Sequence, residues 1–168
     1  AGSTHEGEEV EAIIAHRLIR ESIPNALLIL APRKPERFQT VSKILDQSGL
    51  SHCKWSESKD KEIKSDVLLV DTLGDLLFFY SVSKVSFVGG SLFDIGGHNL
   101  IEPGRLMKPI LTGPKLDNVH EIADQFKLNQ AIIIVRDHKD IANSILELVN
   151  DNDKCIKMTN NARTIIEK

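Results

Sequence analysis

The sequence predicts a parallel α/β sheet covered by helices on both faces. Short apolar runs recur along the chain without the polar alternation of a half-solvated strand, which is the signature of strands buried on both sides. Amphipathic stretches of helical period separate these runs, and glycine and proline fall where one pattern gives way to the next. With 168 residues, 41% hydrophobic and 27% charged, the chain has the size and apolar content of one domain with a sizeable core.

The elements follow in order. The opening segment Ala1 to Glu9 reads as a loop leaving a strand that the chain lacks, as in a piece of a longer protein. Val10, Ile13, Ile14 and Leu18 recur at helical spacing behind the acids Glu6, Glu8 and Glu9, which face the positive end of the helix dipole. Ala26 to Ala31, bounded by Pro24-Asn25 and Pro32, is a buried strand. Pro35 then suits a first helical position, Phe38, Val41, Ile44 and Leu45 form the stripe, and Gly49 supplies the stop. His52 to Trp55 is a short strand, and the polar stretch Ser56 to Asp66 a solvated loop. Further strands are expected at Val67 to Val70, Val85 to Val88, Pro109 to Thr112 and Ala131 to Val135. Helices are expected at Asp75 to Ser83, Leu100 to Met107, Val119 to Phe126, Ile141 to Val149 with Asp137 as a cap, and Cys155 to Glu167.

Several function classes drop out. The longest apolar run, Ala26 to Ala31, falls far short of the roughly 20 residues of a membrane-crossing helix. A formal net charge of -3 argues against general nucleic-acid binding, and 5% aromatics with one Trp argue against base-stacking platforms. Cys53 and Cys155 lack zinc or redox spacing, and the six histidines show no paired spacing, so no metal is expected. There is no nucleophile elbow and no Walker loop.

Folds of this class bind ligands beyond the carboxyl ends of their strands, so the loops there carry the function. The loop after the expected Val85 to Val88 strand holds Gly89, Gly90, Gly96 and Gly97, four of the ten glycines. Its amides either cradle a phosphate or serve tight turns and close packing. Asn99 to Glu102 opens a helix where a phosphate is favoured. Two readings of Glu102 stand: an acid compensating the helix dipole, or a carboxylate accepting two ribose hydroxyls. Arg33, held between Pro32 and Pro35, is either a solvated loop arginine or a preorganised anion ligand. Gly74 gives room for a base against the backbone, with Asp75 as its helix-start neighbour. His98 is either a loop hydrogen-bonder or a donor to a phosphate or carboxylate.

Taken together, Ser3-Thr4-His5-Glu6-Gly7-Glu8-Glu9, Ala31-Pro32-Arg33-Lys34-Pro35, Asp71-Thr72-Leu73-Gly74-Asp75, Phe87-Val88-Gly89-Gly90-Ser91, Gly96-Gly97-His98-Asn99-Leu100-Ile101-Glu102-Pro103 and Gly113-Pro114 resemble the Kdo transferases, in order and spacing over nearly the whole chain. Those bacterial enzymes transfer 3-deoxy-manno-octulosonic acid (Kdo) from CMP-Kdo to lipid A precursors in lipopolysaccharide assembly, at the cytoplasmic face of the inner membrane. The resemblance implies an inverting GT-B glycosyltransferase of two Rossmann-like domains, residues 1–168 being the C-terminal, CMP-Kdo-binding domain. The N-terminal acceptor domain, with the general base, is then absent, no residue of this chain is catalytic, and the fragment is soluble and inactive alone. It implies that Pro32, Arg33, Leu73, Gly74, Asp75, Asn99, Leu100, Ile101 and Glu102 hold CMP. Ser3, His5, Glu6, Gly96, Gly97 and His98 are expected near the phosphate or the Kdo group. The only ligand implied is the donor, with no cofactor and no metal. Lys34, Leu73 and Asp75 depart from the family's usual His, Met and Glu, and Lys34 adds a cation near the donor. Two other readings remain: the donor half of a UDP-sugar transferase or epimerase, and a non-catalytic flavodoxin-like interaction module.

Overall fold

The computed structural model describes residues 1–168. Seven parallel strands form one sheet in the order β3-β4-β2-β1-β5-β6-β7. They are β1 (Gly2–Thr4), β2 (Leu28–Pro32), β3 (His52–Lys54), β4 (Val67–Leu69), β5 (Ser86–Val88), β6 (Ile110–Thr112) and β7 (Ile132–Ile134). The helices are α1 (Glu8–Ser22), α2 (Phe38–Ser48), α3 (Leu76–Val82), α4 (Ile101–Arg105), α5 (His120–Leu128), α6 (His138–Asn150) and α7 (Asn152–Ile166).

The continuous apolar runs are explained by the period of two in each strand. Leu30, Val67 and Leu69 pack with α1 and α2 through Ala12, Ile13, Val41 and Leu45. Their neighbours Ala31, Leu68 and Val70 turn to the opposite face, onto Phe79 of α3. In the other half, Phe87 and Leu111 meet Ile19 of α1 and Ile141 of α6, while Val88, Ile110 and Ile132 meet Phe126 of α5 and Ala162 of α7.

One expectation is corrected. The opening residues are not a loop departing from an absent strand: Gly2–Thr4 is β1, in the interior of the sheet between β2 and β5. The Ala31 amide donates to the Ala1 carbonyl and the Gly89 amide to the Gly2 carbonyl. Glycine, serine and threonine give a three-residue strand no apolar signal, so neighbouring strands and not its own composition define it. Ser3 has φ 54, and the register with β2 slips at this point, from Gly2 opposite Ala31 to Thr4 opposite Pro32. Such a bulge re-aims a side chain, here towards the carboxyl edge.

Chain order runs outward from β1 in one direction through β2 and in the other through β5, so the β1/β5 junction is where the topology switches. Loops leaving β1, β2, β4 and β5 meet there, as the crevice rule for open α/β sheets requires. No helix of the chain is long and apolar enough to cross a membrane.

Candidate functional site

A cleft of about 370 Å³ lies over this junction, inside the size range of sites that enclose small organic ligands. Each loop contributes a different chemistry. The exit of β2 gives Pro32 and Arg33; the Arg33 amide donates to the Thr4 carbonyl at 2.9 Å, which ties this loop to the end of β1. Neither the Arg33 guanidinium nor the Lys34 ammonium has a carboxylate within ion-pair distance, whereas Arg37 is engaged by Glu9 at 3.1 Å. Two cations are therefore unpaired at this edge.

The exit of β4 gives Thr72, Leu73 and Gly74. Leu73 is 69% exposed. Gly74 has φ +90, and a Cβ built on it would meet nothing within 4 Å, so its backbone is an open ledge. Asp75, expected to touch the ligand, turns away: its Oδ2 accepts from the Thr72 hydroxyl at 2.5 Å and from the Trp55 indole at 3.1 Å. These hydrogen bonds, that of Thr72 foremost, hold its carboxyl below the usual range, and its role is to shape the loop.

The far wall is Asn99 and Glu102. Asn99 Nδ2 donates to Glu102 Oε1 at 3.3 Å, and Asn99 Oδ1 accepts the Ile101 amide at 3.0 Å. That amide is thus spent within the loop, and α4 has only five residues, so the expected helix-start phosphate site is weakened. Leu100 is wholly buried among the core residues Ile110 and Phe126, which places its side chain beneath the cleft and out of reach of a ligand.

Ser3 and His98 complete the lining. His5 lies behind His98, with Nε2 to Nε2 at 2.8 Å and only 10° between the ring planes. Burial, the largest influence on each, lowers the pKa of both imidazoles from 6.5. The φ of Gly90 is +68, and a Cβ there would come 2.6 Å from His98 Cδ2, so a glycine is required where that ring sits.

Three other expected contacts lie elsewhere. Glu6 is 92% exposed at its side chain and approaches Arg37 at 4.0 Å. Gly96 accepts from the Asn118 amide at 2.8 Å, and the Gly97 amide donates to the Gly90 carbonyl at 2.6 Å. Both glycines serve close packing of the loop after β5 onto the segment after β6.

The phosphate-cradle reading of Gly89 and Gly90 is also corrected. The Gly89 amide is taken by the Gly2 carbonyl, and the Glu8 carboxylate occupies the next three, accepting from Gly90 at 2.7 Å, Ser91 at 2.9 Å and Leu92 at 3.0 Å, as well as from the His5 amide at 2.9 Å. The sequence presents Glu8 as a dipole-compensating acid at a helix start, and nothing in its spacing announces an internal anion that clamps two loops. The site that remains is lined by unpaired positive charge, a carboxylate and an apolar ledge.

Residues 3–165 match the family described as glycosyl transferases group 1. The chain is 34% identical over 161 residues to the 3-deoxy-D-manno-octulosonic acid transferase of Haemophilus influenzae, covering 95% of this chain and 38% of that protein. It is 39% identical over 125 residues to the enzyme of the same name from Bordetella pertussis, covering 72% of this chain and 29% of that protein. Its structure superposes on the C-terminal CMP-Kdo binding domain of WaaA from Acinetobacter baumannii with a TM-score of 0.94 at 30% identity, covering 99% of this chain and 87% of that one. The expected fold, a Rossmann-like sheet of the kind in the C-terminal half of GT-B glycosyltransferases, is the fold observed.

Proposed function

This chain belongs to the glycosyl transferases group 1 family, and from that premise we propose that its cleft binds the activated sugar CMP-Kdo as the donor half of a Kdo transferase. The observation that carries the reading is convergence. Arg33, Gly74 and Glu102, drawn from loops far apart in sequence, line one cleft; the fold brings the loops together, and a cation, an open backbone and a carboxylate on them are the groups a nucleotide needs.

Each group then has a task. Glu102 accepts the ribose hydroxyls, a role its carboxylate can fill with both oxygens. Gly74 and Leu73 give the cytosine ring a flat apolar seat. Arg33, aided by Lys34 and His98, meets the phosphate and the Kdo carboxylate. As the anomeric bond breaks in an inverting transfer, charge grows on the leaving phosphate, and a guanidinium that no carboxylate of the chain engages is free to stabilise that charge. Because these residues supply the positive charge, chelation of divalent metal leaves donor binding unchanged.

The chain spans 38% of the Haemophilus relative, which accords with the acceptor site and general base lying in another part of a longer protein. The acceptor in this reading is a lipid A precursor, reached at the cytoplasmic face of the inner membrane. Calorimetric titration with CMP, UMP and UDP tests the proposal. CMP is expected to bind best, and Glu102→Ala to weaken it by roughly ten- to a hundredfold, the worth of charge-assisted hydrogen bonds. A UDP preference would transfer the site to UDP-sugars, and an unaffected Glu102→Ala variant would remove the ribose assignment.

A further inference from the structure

His5 leaves β1 and His98 ends the glycine loop after β5, yet their rings lie edge to edge with centroids 5.0 Å apart and 10° between planes, and Nε2 faces Nε2 at 2.8 Å. That separation is a hydrogen bond, so one ring donates its Nε2 proton and the other presents a lone pair. A proton on both Nε2 atoms would set two N–H groups head to head, so the pair can carry one positive charge but not two. The arrangement is built, not incidental. Glu8 clamps the His5 amide and the amides of Gly90, Ser91 and Leu92, and Gly90 leaves the space that the His98 ring fills.

Resting on the sugar-nucleotide reading above, we propose that the His5–His98 pair is a one-proton anion receptor. It takes up a single proton when the ligand's phosphate enters the cleft, and so makes donor affinity rise as pH falls. The proton goes to the Nδ1 of the donor ring, which has no partner in the structure, while the bridging proton stays between the rings.

Charges facing the pair come from several elements. Arg33 and Lys34 after β2 oppose protonation of His5, and Arg33 that of His98; Glu8 favours it at both rings and Glu9 at His5. Glu6 lies beside Arg37, Asp94 of the glycine loop is held by Lys115, and Glu102 lines the opposite wall of the cleft. With burial added, the balance keeps both imidazoles below 6.5, so the empty pair is neutral at neutral pH. An anion seated between Arg33 and His98 reverses that balance. By linkage, whatever factor the anion adds to proton affinity the proton adds to anion affinity.

The probe is cytidine 5′-methylphosphate, a diester, because a phosphate monoester such as CMP itself titrates near pH 6. Titration calorimetry from pH 5.5 to 8 in two buffers of different ionisation heat counts the protons. The parent is expected to take up close to one proton per ligand, and affinity to rise by up to about tenfold per pH unit in the window where uptake occurs. His98→Gln, which removes the ring lining the cleft, is expected to bind with no proton uptake and a flat profile, and cytidine, lacking the phosphate, to show no linkage in the parent. Heats independent of buffer in the parent, or an unchanged slope in His98→Gln, overturn the receptor while leaving the cleft as a nucleotide site. If neither the diester nor CMP binds at any pH, the sugar-nucleotide reading fails and takes this inference with it. Should the variant not fold, nitrogen-15 histidine spectra of the parent decide: one shared single-proton step is expected, and two steps that leave both rings charged overturn the proposal.

Discussion

A buried carboxylate costs several kcal/mol unless donors meet its oxygens, and Glu8, 1% exposed, satisfies that condition with backbone amides from two loops. Glu9, 0% exposed, does so with the Thr4 hydroxyl and Arg37. Adjacent acids at one helix start thus hold the two sides of the site: one fixes the glycine loop, the other removes Arg37 from competition and leaves Arg33 unpaired. Glu8→Gln keeps the shape but gives up an acceptor among the four amides, so it is expected to lower stability by roughly 1–3 kcal/mol, read as a fall in urea midpoint with unchanged slope. An unaltered midpoint would show that water replaces the carboxylate. Individual residues differed in how legible they were. Arg33, Gly74 and Glu102 could be singled out because their residue types follow strands and suit a nucleotide. Asp75 and Gly97 carry the same types in the same loops, and only their partners in the fold, the Trp55 indole and the Gly90 carbonyl, show that they are engaged within the protein.

Elements were legible wherever a period ran long enough. The cap at Asp137 is present, its side chain accepting the Asp140 amide, and α2 ends at Gly49 with φ 74 as its glycine suggests. β1 was hidden because three small or polar residues have no pattern of their own. α4 was overextended for a different reason: it stops at Arg105 because Met107 takes φ 56 and the Lys108 amide returns to the Pro103 carbonyl. A helix stop built on glycine can be read from sequence, whereas one built on methionine cannot. The packing of α4 and α5 against the sheet is what keeps the Glu102 wall in place. Phe126 of α5 lies wholly buried in the cluster that contains Leu100, directly beneath that wall. Phe126→Ala is therefore expected to cost about 3–5 kcal/mol and to weaken CMP binding as well, measured by thermal melts with and without nucleotide. Loss of stability with full affinity would show that the wall is held by α4 and its loop alone.

At the scale of the molecule, a formal net charge of -3 sits uneasily with the proposed ligand, which carries a phosphate and a carboxylate, and the placement of charge around the cleft bears on the conflict. Several cations are engaged by acids, among them Arg20 by Asp66, Lys115 by Asp94 and Lys154 by Glu147. Arg33 and Lys34 have no acid partner at the edge of the cleft, so positive charge gathers there in a chain whose net charge is negative. The dependence of binding on ionic strength follows from this arrangement. Charges at an open edge act over about 10 Å at 0.1 M salt and about 3 Å at 1 M. Raising sodium chloride across that interval should weaken CMP binding several-fold in the parent. Arg33→Gln should bind more weakly at low salt and lose most of the salt dependence, while Lys157→Gln, on the remote helix α7, should leave both unchanged. Calorimetry at three salt concentrations separates the cases. An equal slope in Arg33→Gln and the parent would mean that the guanidinium faces solvent, and that anion recognition rests on the imidazole pair and Lys34.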